Sequence, residues 1–352
     1  TPTPGTLGRP TPVEPGRYCG PPTTTAGLTM TGTAVTLRTW GIGHARTLDD
    51  WTALAGRFLS SDLKCSPVAG SSGDGTPRAS DSVRMATWLP SGPPSQGGTC
   101  PGASEYCHSE DGKLVCYSDR LERSRPSLGR LVGDRLEVWN GLTQGERVTL
   151  AAAIIGVAYR AQAEPSALSS HAGHPVAAPI LRIGAGGDLD TSSTGQAWAD
   201  ALHWAADRYP TLRAWIYSRS YELGRAPVLP IDDPLGPIAD GIANGRLPNV
   251  SAYLSSDPSM IDRTRRALAG RYSHLPVAML ADTRAHALRL LGDLERGGRP
   301  VVCPTEREAH QWPLAMRRPS EPYARGACDR CRACITPAGS KTVTPDIVFI
   351  RR

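Results

Sequence analysis

The stretch Pro179-Ile-Leu-Arg-Ile183 begins an alternation of short apolar segments and amphipathic segments that decides the fold of this chain. The next apolar segments are Leu212-Arg-Ala-Trp-Ile-Tyr217, Asn249-Val-Ser-Ala-Tyr-Leu254, Pro276-Val-Ala-Met-Leu280 and Pro300-Val-Val-Cys303. The sequence between them predicts helices over 194–207, 234–244, 258–269 and 283–296. Strands joined by helices of this length need crossovers, which run right-handed and make the strands parallel. The sequence therefore predicts an α/β fold with a parallel (β/α) barrel or partial barrel, and an open doubly wound sheet is the alternative.

Three regions are predicted along the chain. Residues 1–29 form a Pro/Thr-rich arm with too few apolar side chains to pack, so disorder or docking on a partner is expected. Residues 30–140 form an irregular region, in which strand-like runs such as Val83-Arg-Met-Ala-Thr-Trp-Leu89 alternate with Gly/Ser/Pro stretches. Residues 141–352 form the α/β domain, which opens with a helix over 143–161 that Thr143 and Glu146 are placed to cap.

The charge of the 352-residue chain favours an acidic partner. Its formal net charge is +6, and nearly all of the positive charge is arginine. Guanidinium groups suit phosphate, so DNA is the expected partner, although a GC-rich genome would give the same bias.

No apolar run is long enough to cross a bilayer, and the start does not resemble a signal peptide. We therefore expect a cytoplasmic protein without a membrane partner, in an oligomeric state that the sequence leaves open.

Polar residues recur where the predicted strands end. The first strand runs into Gly184-Ala-Gly-Gly-Asp188-Leu-Asp190, the second reaches Arg219, and the third reaches Ser256 and Asp257. Ligands of parallel α/β folds bind at the carboxyl ends of strands. Glycines such as Gly186 and Gly187 would allow a ligand to approach the backbone closely. A binding or catalytic face is therefore predicted at this edge.

Structural roles explain some of the same positions. Asp257 and Asp282 each precede a helix that begins with Pro or Thr, so capping accounts for both carboxylates. Capping is the favoured interpretation of Asp282. Arg219 suits recognition of a phosphate or carboxylate, and a salt bridge to Asp188 is the structural alternative.

The C-terminal cysteines predict a metal centre. Cys328-Asp-Arg-Cys331-Arg-Ala-Cys334 is a CxxCxxC run, whose three thiolates can turn toward one point. With Cys303 as the fourth ligand, the set suits a [4Fe-4S] cluster, and an all-thiolate Zn²⁺ site is the competitor. A structural clip that fixes the C-terminal segment and a redox role are both consistent with this spacing.

A second cysteine group comprises Cys100, Cys107 and Cys116. Three cysteines form a second candidate metal site, with one position left for a substrate or for His108 or Cys65. The spacing of this group is looser than that of the C-terminal run, and Cys19 is expected to be a bystander.

The motifs together resemble the gene product 88 family of actinobacterial phages over roughly residues 63–349. They are Thr99-Cys-Pro-Gly-Ala-Ser104 with Cys116-Tyr117, Arg182-Ile-Gly-Ala-Gly-Gly-Asp188, Ala214-Trp-Ile-Tyr-Ser-Arg-Ser220, Leu247-Pro-Asn-Val250, Leu254-Ser-Ser-Asp257 and the closing CxxCxxC. The sequence departs from the family pattern in one place, since Gly-Gly-Asp stands where the family more often has Ser-Gly-Asp.

Some members of that family look like distant relatives of tRNA-guanine transglycosylases that act on phage DNA and insert 7-deazaguanine bases. The resemblance implies a barrel, a cysteine-bound metal and carboxylates at strand ends. By the same resemblance, Asp257 would be the nucleophile and Asp188 the acid/base. Asp190 would read the base edge and Arg219 would hold a backbone phosphate, with Gly186, Gly187 and Ser256 lining the substrate site.

The expected function is therefore exchange of guanine for a 7-deazaguanine base in DNA after extrusion of the target nucleotide. Two alternatives stay open. The first is an iron-sulfur enzyme of a reductive or radical type, in which Cys100, Cys107 and Cys116 hold the cluster. The second is a metal-braced nucleic-acid-binding protein without catalysis, in which Arg263, Arg265 and Arg266 contact DNA.

Overall fold

The computed structural model describes residues 47–61, 85–104, 107, 116–171, 179–223, 232–303, 333–335 and 345–350. The predicted arm over 1–29 lies outside these residues, as do Cys19, Cys65, His108, Cys328 and Cys331.

The described chain contains eight α-helices and eight strands. The helices are α1 (Leu48–Phe58), α2 (Tyr117–Ser124), α3 (Pro126–Gly141), α4 (Gln144–His171), α5 (Ser192–Arg208), α6 (Gly236–Ala243), α7 (Ile261–Ala269) and α8 (Arg284–Asp293). The strands are β1 (Leu59–Ser61), β2 (Met85–Trp88), β3 (Ile180–Gly186), β4 (Arg213–Ser218), β5 (Val250–Ser256), β6 (Val277–Ala281), β7 (Val301–Val302) and β8 (Ile347–Ile350). None of these helices is both long and apolar enough to cross a lipid bilayer.

The strands form a single sheet in the order β1-β2-β3-β4-β5-β6-β8-β7. All neighbours are parallel except β1 and β2, which are antiparallel. The predicted α/β class and largely parallel sheet are confirmed. The predicted barrel is not confirmed, because β1 and β7 are the outermost strands among the described residues.

The helices from α4 to α8 pack on one face of the sheet. Leu181 of β3 and Ile216 of β4 belong to the main core with α4 to α7, while Met279 of β6 packs with α8. Alternate residues of the strands point to the other face. There, Trp215 packs with Ile335 of the short 333–335 segment. The two faces of the sheet are therefore covered by different parts of the chain.

The predicted helix caps have mixed outcomes. The capping box at the start of α4 is present, since the Thr143 N–H donates to Glu146 Oε2 at 2.8 Å and the Glu146 N–H to Thr143 Oγ1 at 3.4 Å. The prediction for Asp282 is wrong, because Thr283 accepts the His286 N–H at 3.1 Å and caps α8 instead. Asp282 itself is exposed.

The region predicted to be irregular supplies three helices and two strands of the same sheet. Arg135 of α3 is buried, and its guanidinium donates to the carbonyl oxygens of Arg57 at 2.7 Å, Trp88 at 3.2 Å and Leu59 at 3.3 Å. Burial lowers its pKa to about 10. This side chain joins α3 to the end of α1 and to both antiparallel strands.

Candidate active site at the strand ends

A short segment, residues 99–104, lies across the carboxyl ends of β3, β4 and β5. The Thr99 hydroxyl accepts the backbone N–H of Asp188 at 3.1 Å. Gly102 packs so closely on Arg219 that an added Cβ would overlap the Arg219 carbonyl oxygen. Ser104 Oγ donates to the carboxylate of Asp257. One segment from the N-terminal half thus contacts the loop that follows each of three strands.

Asp188 is a buried carboxylate that is held by backbone amides. The residue is 8% exposed. Oδ1 accepts the N–H of Leu189 and Oδ2 the N–H of Arg219, each at 2.7 Å. Burial raises the pKa of Asp188, and hydrogen bonds from Ser218, the two amides and Ser220 offset part of that rise. Asp188 is therefore suited to hold a proton at a higher pH than an exposed aspartate.

Asp257 is fully buried and accepts hydrogen bonds at both oxygens. Oδ1 accepts the N–H of Ser259 at 2.9 Å and its hydroxyl at 2.6 Å. Oδ2 accepts from Ser104 Oγ and forms an ion pair with Arg219. A carboxylate offers about four lone-pair positions, so these four donors occupy all of them. The predicted capping role of Asp257 is confirmed, and a buried ion pair accompanies it.

Arg219 joins the two carboxylates. Its backbone N–H donates to Asp188, while its Nη1 contacts Asp257 and also donates to Ser104 Oγ at 2.6 Å. Burial lowers the pKa of Arg219, but the charges of Cys107 and Asp257 outweigh it, so the net pKa is raised. The guanidinium therefore stays charged and is paired with Asp257, whereas the salt bridge to Asp188 that the sequence offered is replaced by a hydrogen bond from the Arg219 backbone.

The glycines before Asp188 make room for side chains of this chain. A Cβ on Gly186 would overlap the indole of Trp88, and one on Gly187, whose φ is +71°, would overlap the Thr99 hydroxyl. The Gly187 N–H donates to Ser91 Oγ at 3.2 Å. The close approach predicted for a ligand is thus made here by Trp88 and Thr99.

Two other predicted site residues lie in helix-packing networks. Asp190 Oδ1 accepts from Thr194 Oγ1 at 2.5 Å, at the start of α5. Ser256 is fully buried, and its hydroxyl lies 2.7 Å from that of Thr264 in α7. The structure therefore brings Asp188, Arg219 and Asp257 together, and gives Asp190 and Ser256 partners in the adjacent helices.

The first cysteine group lies beside this site. Burial raises the pKa of the Cys100 thiol, and the charges of Asp188, Cys116 and Cys107 act in the same direction. Cys107 Sγ is 3.9 Å from Ser104 Oγ. Within the described parts of the chain, no three His, Cys, Asp or Glu side chains are grouped closely enough to hold a metal ion. The thiols of Cys107 and Cys116 are therefore near that of Cys100, which is itself near Asp188, and the described residues do not form a ligand set.

Two of the C-terminal cysteines share a cluster on the sheet face opposite the helices. Cys303 is buried beside Tyr253, and both Tyr217 and Cys334 pack against that cluster. The Tyr253 hydroxyl donates to the Ala333 carbonyl oxygen at 3.1 Å, which fixes the segment that carries Cys334. Burial raises the pKa of Tyr217, and Cys334 and Cys303 add to the rise. Both thiols thus lie close to one tyrosine, as a shared ligand site for a soft metal would require.

The sequence did not indicate the roles of Ser104 and Arg263. Arg263 Nη2 donates to the Gly102 carbonyl oxygen at 3.2 Å, so it holds the 99–104 segment from the other side. Ser104 ends the Thr99-Cys-Pro-Gly-Ala-Ser104 motif, and that motif was the sequence feature that could have indicated its role. Its contact with Asp257, 153 positions away, follows only from the fold.

Comparison with known proteins gives one match. A sequence model described as gene product 88 matches residues 69–337, which is most of the chain and includes every residue of the site. No curated protein and no solved structure matches the chain.

Proposed function

The chain belongs to the gene product 88 family, and from that premise we propose that it is a transglycosylase that exchanges guanine for a 7-deazaguanine derivative in phage DNA. The observation that carries the proposal is the pair of buried acids, Asp188 and Asp257, joined through Arg219. Base exchange needs one carboxylate that attacks and one that carries a proton, and different surroundings separate such roles.

In the proposed reaction, Asp257 attacks the anomeric carbon of a deoxyguanosine extruded from the duplex. A carbon–oxygen bond to Asp257 forms while the glycosidic carbon–nitrogen bond breaks, and Asp188 gives its proton to the departing guanine. The incoming base then loses a proton to Asp188 and attacks the same carbon, which releases Asp257. The raised pKa of Asp188 supports the proton-carrying role.

Attack by Asp257 needs one of its lone pairs to be vacated. The Ser259 donors belong to the turn that Asp257 caps, and Arg219 provides the charge of the ion pair. Ser104 is a neutral donor that can turn away by rotation about its Cα–Cβ bond, at a cost of about 1 kcal/mol. We assign Oδ2, which Ser104 and Arg219 share, as the attacking oxygen.

We also propose that Cys303, Cys328, Cys331 and Cys334 hold a [4Fe-4S] cluster or Zn²⁺. The shared cluster of Cys303 and Cys334 supports convergence of the set, and the remaining two ligands lie in the same short run of sequence. When bound, the metal would act as a structural clip, because the 333–335 segment lies on the sheet face opposite the helices. Tyr253 would orient this segment through its bond to Ala333.

A second candidate is an iron-sulfur enzyme of a reductive or radical type. The proximity of Cys100 to Asp188, with Cys107 and Cys116 near Cys100, favours it, since a cluster bound by these thiols would lie beside the strand ends. Visible absorption that persists in anaerobically purified Cys303→Ser and is bleached by dithionite would distinguish this candidate from base exchange, because that variant lacks a ligand of the C-terminal site.

Mass spectrometry of nucleosides tests the main proposal. DNA from cells that express the protein and a 7-deazaguanine supply should contain the modified deoxynucleoside. Asp257→Asn and Asp188→Asn should abolish it, whereas Asp262→Asn, at an exposed acid of α7, should not. Unmodified DNA in the presence of folded wild-type protein, confirmed by circular dichroism, would overturn the proposal.

A further inference from the structure

Two guanidinium groups meet at the sulfur of Met260. Arg219 Nη1 lies 3.4 Å and Arg263 Nη2 lies 3.3 Å from Met260 Sδ. Arg219 comes from the end of β4 and Arg263 from α7, so the fold places two cations side by side at the strand ends. Like charges at this separation repel unless anions accompany them.

Arg263 retains hydrogen-bonding capacity at this position. Its hydrogen bonds to described residues, Gly102 and Met260, both use Nη2, and the guanidinium also lies 5.1 Å from the ring centroid of Tyr221. The Nε is buried and has no acceptor among the residues that the structure describes. A buried donor without an acceptor is costly, and an additional acceptor such as a bound anion would satisfy it.

Among the residues that the structure describes, the carboxylates near Arg263 have other arginine partners. Asp257 is paired with Arg219. Glu222 acts electrostatically on Arg263, but it also acts on Arg266, whose Nε is 3.8 Å from its carboxylate. In the described part of the chain, Arg263 thus has no carboxylate to itself, because Asp257 pairs with Arg219 and Glu222 also interacts with Arg266. The rest of α7 differs, because Arg265 is half exposed and is paired with Asp262.

We propose that Arg263, together with Arg219, binds a phosphodiester of the nucleic-acid strand beside the scissile nucleotide. The inference rests on the proposed function, because it takes the strand-end site as the place where DNA binds. Guanidinium donors match phosphate oxygens in geometry, and a phosphate would supply both an acceptor for Arg263 and a negative charge beside the two guanidiniums. Arg219 remains paired with Asp257, so Arg263 provides the larger share of the contact.

The test is the salt dependence of oligonucleotide binding by the full chain. Anisotropy of a labelled single-stranded oligonucleotide is measured over a range of KCl concentrations for wild type, Arg263→Gln and Arg265→Gln. Loss of a charged phosphate contact should weaken binding about tenfold and lower the salt slope by about one for Arg263→Gln. Arg265→Gln removes the same charge from the same helix and should change both quantities much less. Inorganic phosphate should compete with the oligonucleotide in wild type and lose that effect in Arg263→Gln.

Equal effects of the two substitutions, or equal competition by phosphate in Arg263→Gln, would overturn the site. Arg263→Lys covers the case in which Arg263→Gln does not fold: it should keep the salt slope but lose affinity, and unchanged affinity would count against the guanidinium contact. The outcome is separate from base exchange. If Arg263→Gln still gave modified nucleosides at wild-type levels, the phosphate site would be ruled out and base exchange would stand. If DNA stayed unmodified while the salt slope fell with Arg263→Gln and not with Arg265→Gln, the enzymatic proposal would be ruled out and the phosphate site would stand.

Discussion

At the residue scale, the two acids of the site differ in what surrounds them. Asp188 accepts from the backbone amides of Leu189 and Arg219, and burial raises its pKa. Asp257 faces a guanidinium and two hydroxyl groups, and its ion pair requires the charged carboxylate. Two aspartates are thereby suited to different roles, Asp188 as a proton carrier and Asp257 as an anion.

The raised pKa of Asp188 makes a pH-dependent contribution to stability. Between its ordinary value of 3.8 and its raised value, the folded state retains a proton that the unfolded state releases. The contribution of Asp188 to the free energy of unfolding therefore falls as pH rises through this window, by up to about 1.4 kcal/mol per pH unit. Urea unfolding of wild type and Asp188→Asn from pH 4 to 8 checks this. A stability difference that stays constant with pH, or moves in favour of wild type as pH rises, would contradict it.

The ion pair between Arg219 and Asp257 should behave as one unit. The side chains are 11% and 0% exposed, so Asp257→Asn leaves an uncompensated buried guanidinium and should cost about 3–5 kcal/mol. Arg219→Gln should cost a similar amount, whereas the double variant should cost clearly less than the two single losses added together. Urea denaturation of all four proteins provides the cycle. Additive losses would show that the two groups are not coupled.

At the element scale, the 99–104 segment matters because it is fixed on both sides. Thr99 is held by the loop after β3, and Arg263 of α7 donates to Gly102 at 3.2 Å. The segment thereby holds Ser104 against Asp257, which follows strand β5. The sheet places the carboxylates, and the segment completes their hydrogen bonds.

A methyl group at Gly102 should disturb this arrangement. Gly102→Ala places a Cβ on the Arg219 carbonyl oxygen, and such overpacking against backbone should cost about 1–3 kcal/mol and abolish base exchange. Gly133→Ala in α3 is the matched control, because its Cβ meets nothing within 4 Å and alanine favours a helix by up to about 1 kcal/mol. Thermal unfolding of both variants checks the contrast. If Gly102→Ala were as stable as Gly133→Ala, the segment would not be packed on Arg219.

The strand ends could be predicted from sequence because the alternation of apolar segments and helices is local. It placed Asp188, Arg219 and Asp257 at one edge of the sheet, as the structure does. Helix α1 and the contact of Ser104 with Asp257 were not predicted from the sequence. The helix α1 was missed although Thr47 and Asp50 form its capping box. The contact of Ser104 with Asp257 could not be predicted, because residues 153 positions apart produce no periodic pattern of apolar and polar residues in the sequence.

At the scale of the whole molecule, the two faces of the sheet separate two kinds of chemistry. The helices cover one face with the main apolar core, and the acids lie at the strand ends. The other face carries Cys303 and Cys334 with the tyrosines of β4 and β5. The strand β8 joins the C-terminal part of the chain to this body between β6 and β7, and Asp346 beside it accepts the Val277 N–H at 2.7 Å.

This division predicts that substitution of the strand-end acids leaves metal binding by the C-terminal cysteines unchanged. Protein purified anaerobically should contain about one Zn²⁺ or about four iron atoms per chain at this site. Cys303→Ser should lose that metal, whereas Cys19→Ser should retain it. A chelator should lower the melting temperature of wild type and Cys19→Ser but not of Cys303→Ser, because binding to the folded state alone contributes stability. Asp257→Asn should keep its metal, since Cys303 and Cys334 pack with Tyr253 on the sheet face opposite the helices and Asp257 is held by Ser104, Ser259 and Arg219. Wild type without metal, or Cys303→Ser with its full content, would rule out a thiolate centre on this face.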